Sequence, residues 1–519
     1  MFLPLISLAW AGLGPADVLV LSNGQVSESV AVGQAYQDAR QLPAGHHCEI
    51  PDVDESALEL TLEQAQALRV HLDDCLAALP DPDEIDALVL VRGLPVRVAI
   101  PGGSVSLQAF LQVHDLESSS GRVQGQPGSS FGVLSPVYPS GRWDGQQAFE
   151  HEQMAYYVAA LVWTEQTGWP GSFERQSAGS YPGFDFDGQL FVVSRLDGFD
   201  YADALALVER SVASDEGIPS GEVLCLAGSG PRAPRDPECE LLSRNLPDIV
   251  SWQSPHDGAI QADNLAGLMT GAADFTGADL SFEPGAFVGN LTSYGAHPNN
   301  FCEGQDCPAE QQTSIARFVR GGASAAHGTV DEPYNHCFPN AGLLLMMAAG
   351  YSFGEAALYN QKLLYWKNLY LGDPLMAPWG ERPVVQEPES WVAGQAVELV
   401  GLHGEGVAEW RVFVDGQRVQ TLPGEEPFFT PSGELGDTQA LLIVAVANNA
   451  PLKDYPVSPE VQGWWSGSVT LSAPGPADTA DRADSGTPGP PEGCGGCGGG
   501  LGGGAWFLGL LAVRVVGRR

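Results

Sequence analysis

The stretch DVLVLSNGQVSESVAVGQAYQDARQLP, Asp17 to Pro43, decides how the rest of the chain is read. Its opening run, Val18 to Leu21, is continuously apolar, the pattern of a strand covered on both faces rather than one. Past Gly24 the spacing becomes helical, with Ser27 or Ser29 placed as a cap and Pro43 just beyond the end. A doubly buried strand that feeds directly into a helix is the building unit of a parallel sheet with helices on its faces.

The same alternation recurs downstream. DALVLVRGLPVRVAI (Asp86 to Ile100) reads as a second buried strand, and GQLFVVSRLDG (Gly188 to Gly198) as a third, followed by the helix DYADALALVERSVAS. Further strands are expected in LPDIVSW (Leu246 to Trp252), GAFVGNLTSYG (Gly285 to Gly295) and RGGASAAHGTV (Arg320 to Val330), the last preceded by the helix TSIARFV. The expected fold class is α/β, a mainly parallel sheet flanked by helices. It falls in two parts, 15-117 and 183-380, around an insertion at 118-182 that is richer in Gly, Ser, Gln and aromatics. Beyond Trp379 the pattern changes to short alternating runs such as VAEWRVFVDGQRV and ALLIVAVANNA, which predict a small immunoglobulin-like β-sandwich over 383-472. A Pro-rich linker, 473-493, has too few apolar residues to pack.

At 519 residues the chain exceeds what one core organises, so several domains are expected. Its 64 acidic residues against 24 basic ones give a formal charge of -40, which repels phosphate backbones and excludes nucleic acid as a partner. No cofactor is expected. Calcium is compatible with the acidic runs DPDEID and FDFDG, but no ligand spacing supports it, and both read as solvated turns. The phosphate-loop and HExxH signatures are absent, and GSGPRAP reads as a Pro-rich loop without a role.

The N-terminus, MFLPLISLAWA, carries a short apolar run ending in Ala9-Trp10-Ala11 and reads as an export signal, 1-11. Export suits the nine cysteines. Cys225 and Cys239, and Cys302 and Cys307, are spaced for local disulfides, whereas Cys337 is open to either a bridge or a thiol. At the other end Cys494-Gly-Gly-Cys497, a glycine run, AWFLGLLAV and Arg518-Arg519 form a compact tail over 494-519. Its apolar run is shorter than the roughly 20 residues of a membrane span. Linker, Cys-Gly motif, apolar helix and terminal arginines together resemble the MYXO-CTERM sorting signal of myxobacterial surface proteins. That resemblance implies anchoring at the outer membrane surface, with the cell-surface sorting and processing machinery as partner.

Polar residues just past strand ends line the crevice of an open parallel sheet. Three such ends carry the candidates: His256 in SPHDG, Ser293 and His297 in NLTSYGAH, and His327 and Cys337 in AAHGTVDEPYNHC, with Asp331 and Glu332 between. A nucleophile there needs a base within hydrogen-bond reach.

VLVLSN with Tyr36 and Arg40, SRLDG, LTSYG, GASAAHGTVDEP, GYSFGEA and GDPLMAP together resemble a family of uncharacterised exported bacterial proteins. Their order along Asp17 to Trp379 is similar, and no activity comes with the family. More distantly, the order of an α/β unit, an immunoglobulin-like module and a sorting tail is similar to the gingipain-like peptidases of caspase-type fold. In those, a histidine follows one strand in a His-Gly step and a cysteine ends the next, before a strand opening Gly-Gly-Ala. Carried onto this chain, the resemblance puts the histidine near His256, the nucleophile at Ser293 and the Gly-Gly-Ala at Gly321 to Ala323. A serine in place of the thiol and His-Asp-Gly in place of His-Gly both depart from that pattern.

Three readings stay open: a gingipain-like, caspase-like fold without the Cys-His pair, serving as a non-catalytic surface protein; a divergent peptidase or hydrolase using Ser293 with His256 or His297, or Cys337 with His327; and a surface protein binding a glycan or peptide ligand.

Overall fold

The computed structural model describes residues 13–80, 82, 85–112, 133–134, 191–216, 219–228, 230–253, 260–274, 279–304, 307–308, 312–333, 335–339, 341–361, 363–379, 383–386, 388, 390–402, 406–414, 417–425, 427–447 and 462–473. The export signal, nearly all of the insertion, His256, most of the linker, and the tail with Cys494, Cys497, Arg518 and Arg519 lie outside the described residues.

Among the described residues, ten strands form one central sheet. They are β1 (Val18–Asn23), β2 (His47–Ile50), β3 (Ala87–Val91), β4 (Val192–Leu196), β5 (Val223–Leu226), β6 (Val250–Gln253), β7 (Gln261–Thr270), β8 (Asp279–Asn290), β9 (Ala325–Thr329) and β10 (Asn368–Gly372), and their spatial order is β6-β5-β7-β8-β9-β10-β4-β3-β1-β2. Every neighbouring pair is parallel except β9 and β10, which run antiparallel from Ala325↔Gly372 to Thr329↔Asn368. The sheet therefore reverses direction once. The carboxyl ends of β5 to β9 lie at one edge, and those of β1 to β4 and β10 at the other.

The strands form where both faces can be covered. Val18 to Leu21 and Ala87 to Val91 have no exposed surface, and each such Val or Leu contributes roughly 1.5–3 kcal/mol by leaving water. Helix α1 (Ser27–Arg40) follows β1 as expected, but no side chain caps it. Ser29 Oγ instead accepts from Asn23 N–H at 3.0 Å and donates to the Arg92 carbonyl, tying β1 to the end of β3. Helix α2 (Leu62–Ala77) opens with a Thr61/Gln64 capping box. Helix α4 follows α3 (Leu107–Gln112), spans Tyr201–Ala213 and is capped by Asp200, while Asp197 pairs with Arg195 and Arg92.

Two readings of the sequence need correction. Asp86 to Ile100 is two strands, β3 and Arg97–Ile100, which belong to different sheets. The break is Gly93, at φ +101°, where a Cβ would stand 2.9 Å from Tyr201 Oη. The expected strand at Leu246 to Trp252 begins only at Val250.

Beyond the α/β region, an antiparallel sheet of order β12-β11-β13-β14 is built from β11 (Val407–Val414), β12 (Gln417–Pro423), β13 (Thr438–Ala447) and β14 (Gln462–Thr470). Alternation explains why β13 looks uniformly apolar. Leu441, Ile443 and Ala445 line a local core with Trp410 and Trp391, while Val444 and Val446 join the core of the α/β region.

A buried ion pair ties α1 to the segment just past β10. Asp373, just past β10, has no exposed surface; its Oδ1 accepts from Tyr36 Oη at 2.6 Å, and its Oδ2 from Arg40 Nε at 2.5 Å. Asp215 also pairs with Arg40. Burial works against the Arg40 charge, but Asp373, Tyr36 and Asp215 outweigh it and raise its pKa. Burial and the Asp373 charge push the Tyr36 phenol well above its usual range. Asp373→Ala leaves a charged guanidinium buried and is expected to cost about 3–5 kcal/mol. Arg40→Met/Asp373→Ala removes both charges and is expected to lose less than half as much, as read from denaturant midpoints.

Candidate functional site

The edge formed by the carboxyl ends of β7, β8 and β9 gathers most of the described candidates. Leu291 N–H bonds the Thr270 carbonyl at 2.7 Å, so β7 and β8 leave the sheet side by side. Ser293, three residues past β8, donates from Oγ to Glu332 Oε1 at 2.8 Å. Tyr294 also hydrogen-bonds Glu332; burial first, then that carboxylate, raises its phenol pKa.

Tyr294 sits at φ +63°, a left-handed conformation that costs a non-glycine residue about 1–3 kcal/mol. The strain is held locally: His297 N–H and Asn300 Nδ2 both donate to the Tyr294 carbonyl, at 2.9 and 2.7 Å. Gln312, at φ +62°, faces the same place, where its Oε1 accepts from Thr292 Oγ1 and from Arg232 Nη2 at 3.4 Å. Arg232 also reaches Thr292 Oγ1 at 3.2 Å. It belongs to GSGPRAP, the loop that the sequence reading left without a role. Its side chain lies over the end of β7, where a Cβ on Gly271 would stand 2.9 Å from Arg232 Cβ.

Asp331 and Glu332 form the rim. Burial alone would raise the Asp331 pKa, but the Glu332 N–H, Lys367 Nζ at 3.4 Å and Ser104 Oγ at 2.9 Å hold it below the ordinary carboxylate value. Lys367 Nζ also donates to the Glu332 carbonyl at 2.7 Å.

The imidazoles are placed differently. His297 packs edge-on against Tyr294, and its Nδ1 accepts from Asn299 N–H at 3.3 Å, capping the turn Pro298–Phe301. Burial and then Arg97 lower its pKa. His327 lies within β9 rather than past its end and has no exposed surface. Its Nε2 meets Asn368 Oδ1 at 3.1 Å and must be the donor, since an amide oxygen only accepts. Its ring packs against Tyr370 at 4.7 Å and Phe338 at 5.3 Å between centroids. Cys337 is buried in the turn Asn335–Cys337 and stands outside the three disulfides found among the described residues, Cys48–Cys75, Cys225–Cys239 and Cys302–Cys307. His327 Nδ1 has no hydrogen-bond partner, so the imidazole does not bond the Cys337 thiol.

His256 follows β6, the edge strand, and β5 and β7 stand between that strand and β8. The strand beside β8 is β7, which continues into Gly271-Ala272-Ala273. Thus Ser293, Glu332 and Tyr294 are brought together, with Arg232, Gln312 and Lys367 around them. His327 and Cys337 are sealed beneath.

A separate cavity of about 230 Å3 opens where β3 and β4 end, lined by Arg92, Arg195, Asp197, Glu55 and Phe301 among others. Its floor is the buried network in which Asp197 binds Arg195 Nε at 2.6 Å and Arg92 Nη1 at 2.8 Å.

No family model matches the chain, and neither does any curated protein. Among solved structures it is similar to the complex of Porphyromonas gingivalis RgpB pro- and mature domains, at 11% identity and TM-score 0.37 over 88% of this chain and 100% of that one. It is also similar to the Arg-specific cysteine proteinase gingipain R, at 10% identity and TM-score 0.36 over 88% and 98%. A third solved chain, a protease, gives 11% and 0.32 over 89% and 98%. At these scores the likeness carries no argument; the fold stands on its own strand pairings.

Burial first, and then the Arg235 charge, hold the His327 pKa down at about 3, against the pull of its Asn368 bond. An unfolded histidine titrates near 6.5. The neutral ring's contribution is therefore complete above about pH 6.5 and is lost as pH falls toward 3. Between pH 7 and 5 the native chain is expected to lose about 2 kcal/mol through this group. His46, His47 and His297 are shifted in the same direction, so the measurement is the difference in acid slope between the native chain and His327→Gln, from denaturant midpoints at both pH values.

Proposed function

We propose that the chain is an exported cell-surface protein whose gingipain-like architecture has lost the Cys-His pair and serves a binding or structural role. The observation that carries this reading is the end of β7. Where the related peptidases keep an imidazole on the strand next to the nucleophile's, this chain has Gly271-Ala272-Ala273, covered by Arg232. The nucleophile position holds Ser293, whose hydroxyl is engaged by a carboxylate. A carboxylate is intrinsically about two pKa units less basic than an imidazole, and a serine hydroxyl needs the stronger base far more than a thiol does. The one described thiol, Cys337, has no exposed surface from which to attack a peptide.

Export is supported by the three disulfides, which persist in oxidising compartments. Among the described residues no helix is long and apolar enough to cross a membrane. In this reading attachment at the surface falls to the sorting tail. In this reading the module around β11 to β14 is the immunoglobulin-like spacer, and a peptide or glycan is the ligand class.

A divergent hydrolase is the second reading. The strained Tyr294, next to a serine at a strand end, is what favours it, because backbone strain gathers at functional sites. In that version Glu332 takes the Ser293 proton.

The two readings separate in one experiment: the secreted ectodomain is offered a mixed peptide library together with fluorophosphonate and iodoacetamide probes. The expected outcome is no turnover and no labelling, identical in Ser293→Ala, Glu332→Gln and Cys337→Ser. Turnover or fluorophosphonate labelling abolished by Ser293→Ala and reduced at least tenfold by Glu332→Gln would establish the hydrolase instead.

A further inference from the structure

Cys48, His71 and Cys75 stand apart from the crevice described above, yet their ligand-capable atoms all lie within 4.8 Å of one another. Two features of the local structure put them there. His71 and Cys75 are one turn apart on α2, so they share a face, and Cys48 lies on β2, against which that helix packs. The ring orientation is set as well. His71 Nε2 is 3.2 Å from the Glu49 carbonyl, which can only accept, so Nε2 carries the proton and the lone pair is on Nδ1. A histidine that donates its second nitrogen to a main-chain carbonyl has the outer-shell support typical of a metal ligand.

We propose that these three residues form a redox-conditional zinc site, closed as the Cys48–Cys75 disulfide in an oxidising compartment and opened to metal in a reducing one. The oxidised form is the one seen here. A dithiol reductant breaks the S–S bond; its own two thiols are oxidised to a disulfide, and their two protons end on Cys48 and Cys75. Zinc then binds both sulfurs and one His71 nitrogen, releasing those two protons to solvent, and a water completes the tetrahedron. Thiolate and imidazole suit zinc better than calcium or magnesium, which prefer oxygen. In either redox state β2 stays fastened to α2, zinc holding in a reducing compartment the cross-link that the disulfide holds in an oxidising one. The inference does not rest on the functional reading above.

Cobalt(II) reports such a site through its thiolate charge-transfer band and the visible bands of tetrahedral coordination. The full-length chain is reduced with a phosphine, stripped of metal and titrated with cobalt, alongside His71→Ala, Cys48→Ser/Cys75→Ser and the control Cys225→Ser/Cys239→Ser. The expected result is one more tetrahedral cobalt equivalent in the reduced native chain and in the control than in either of the other two variants. His71→Ala is expected to weaken binding at this site by at least tenfold. The oxidised chain is expected to show no charge-transfer band. Equal cobalt binding by His71→Ala and the native chain, no band in the reduced chain, or loss of the native circular dichroism on reduction before metal is added would each overturn the proposal.

Discussion

The buried carboxylate of Asp373 is the interaction on which the architecture turns. It lies just past β10, the strand at which the sheet reverses direction, and it accepts from Tyr36 and Arg40 on α1, more than 330 residues away in sequence. Its own chain contributes as well, since the Leu375 N–H bonds Asp373 Oδ1 at 2.8 Å. Desolvating such a pair takes back much of what the attraction supplies, so its net worth lies less in stability than in registry. Only one docking of α1 against the end of β10 satisfies all these donors at once, and that docking joins the first α/β part to the last strand of the second.

The reversal has a direct consequence for chemistry. Ligand crevices of open sheets lie at carboxyl strand ends, and here those ends face two ways. The edge of β7 to β9 carries Ser293, Glu332, Tyr294 and Arg232, while the edge of β3 and β4 carries the cavity over Arg92, Arg195 and Asp197. The two differ in construction. At the first, left-handed backbone at Tyr294 and Gln312 is pinned by side-chain hydrogen bonds. At the second, the charges are already paired among themselves and sealed by neighbouring carbonyls, which makes it a rigid wall more than a reactive centre.

How much of this was legible in the sequence depended on whether a signal was local. The apolar runs of β1, β3, β4 and β9 announced themselves because both faces are buried, and the shift to short alternating strands past Trp379 marked the C-terminal sheet. β7 went unseen: its first half, Gln261 to Asn264, is polar and largely exposed, and only Leu265 to Thr270 is buried. The Cys48–Cys75 bridge joins residues 27 apart, one on β2 and one on α2, and no spacing rule points to it. Arg232 was dismissed because its loop reads as Pro-rich, yet that loop joins β5 to the helix Arg235–Asn245, and its importance comes from where β7 ends. Asp373 makes a local turn through the Leu375 N–H, but its second oxygen serves a contact that exists only in three dimensions.

The histidine that most invited a catalytic reading shows why position along a strand matters more than residue type. His327 pairs in register with Tyr370, so its side chain stands perpendicular to the sheet instead of projecting into the crevice beyond the strand end. There it is roofed by Phe338, its Nε2 proton is taken by Asn368, and burial keeps the ring neutral far below the pH at which an exposed imidazole would charge. A general base must meet solvent or substrate and must gain a proton in the reaction; this ring can do neither without opening β9 and β10. Two residues beyond the strand, at Asp331 and Glu332, the chain does reach the crevice, and what it places there is carboxylate. The polar chemistry of this edge is therefore that of a serine, a tyrosine and a guanidinium arranged around acids.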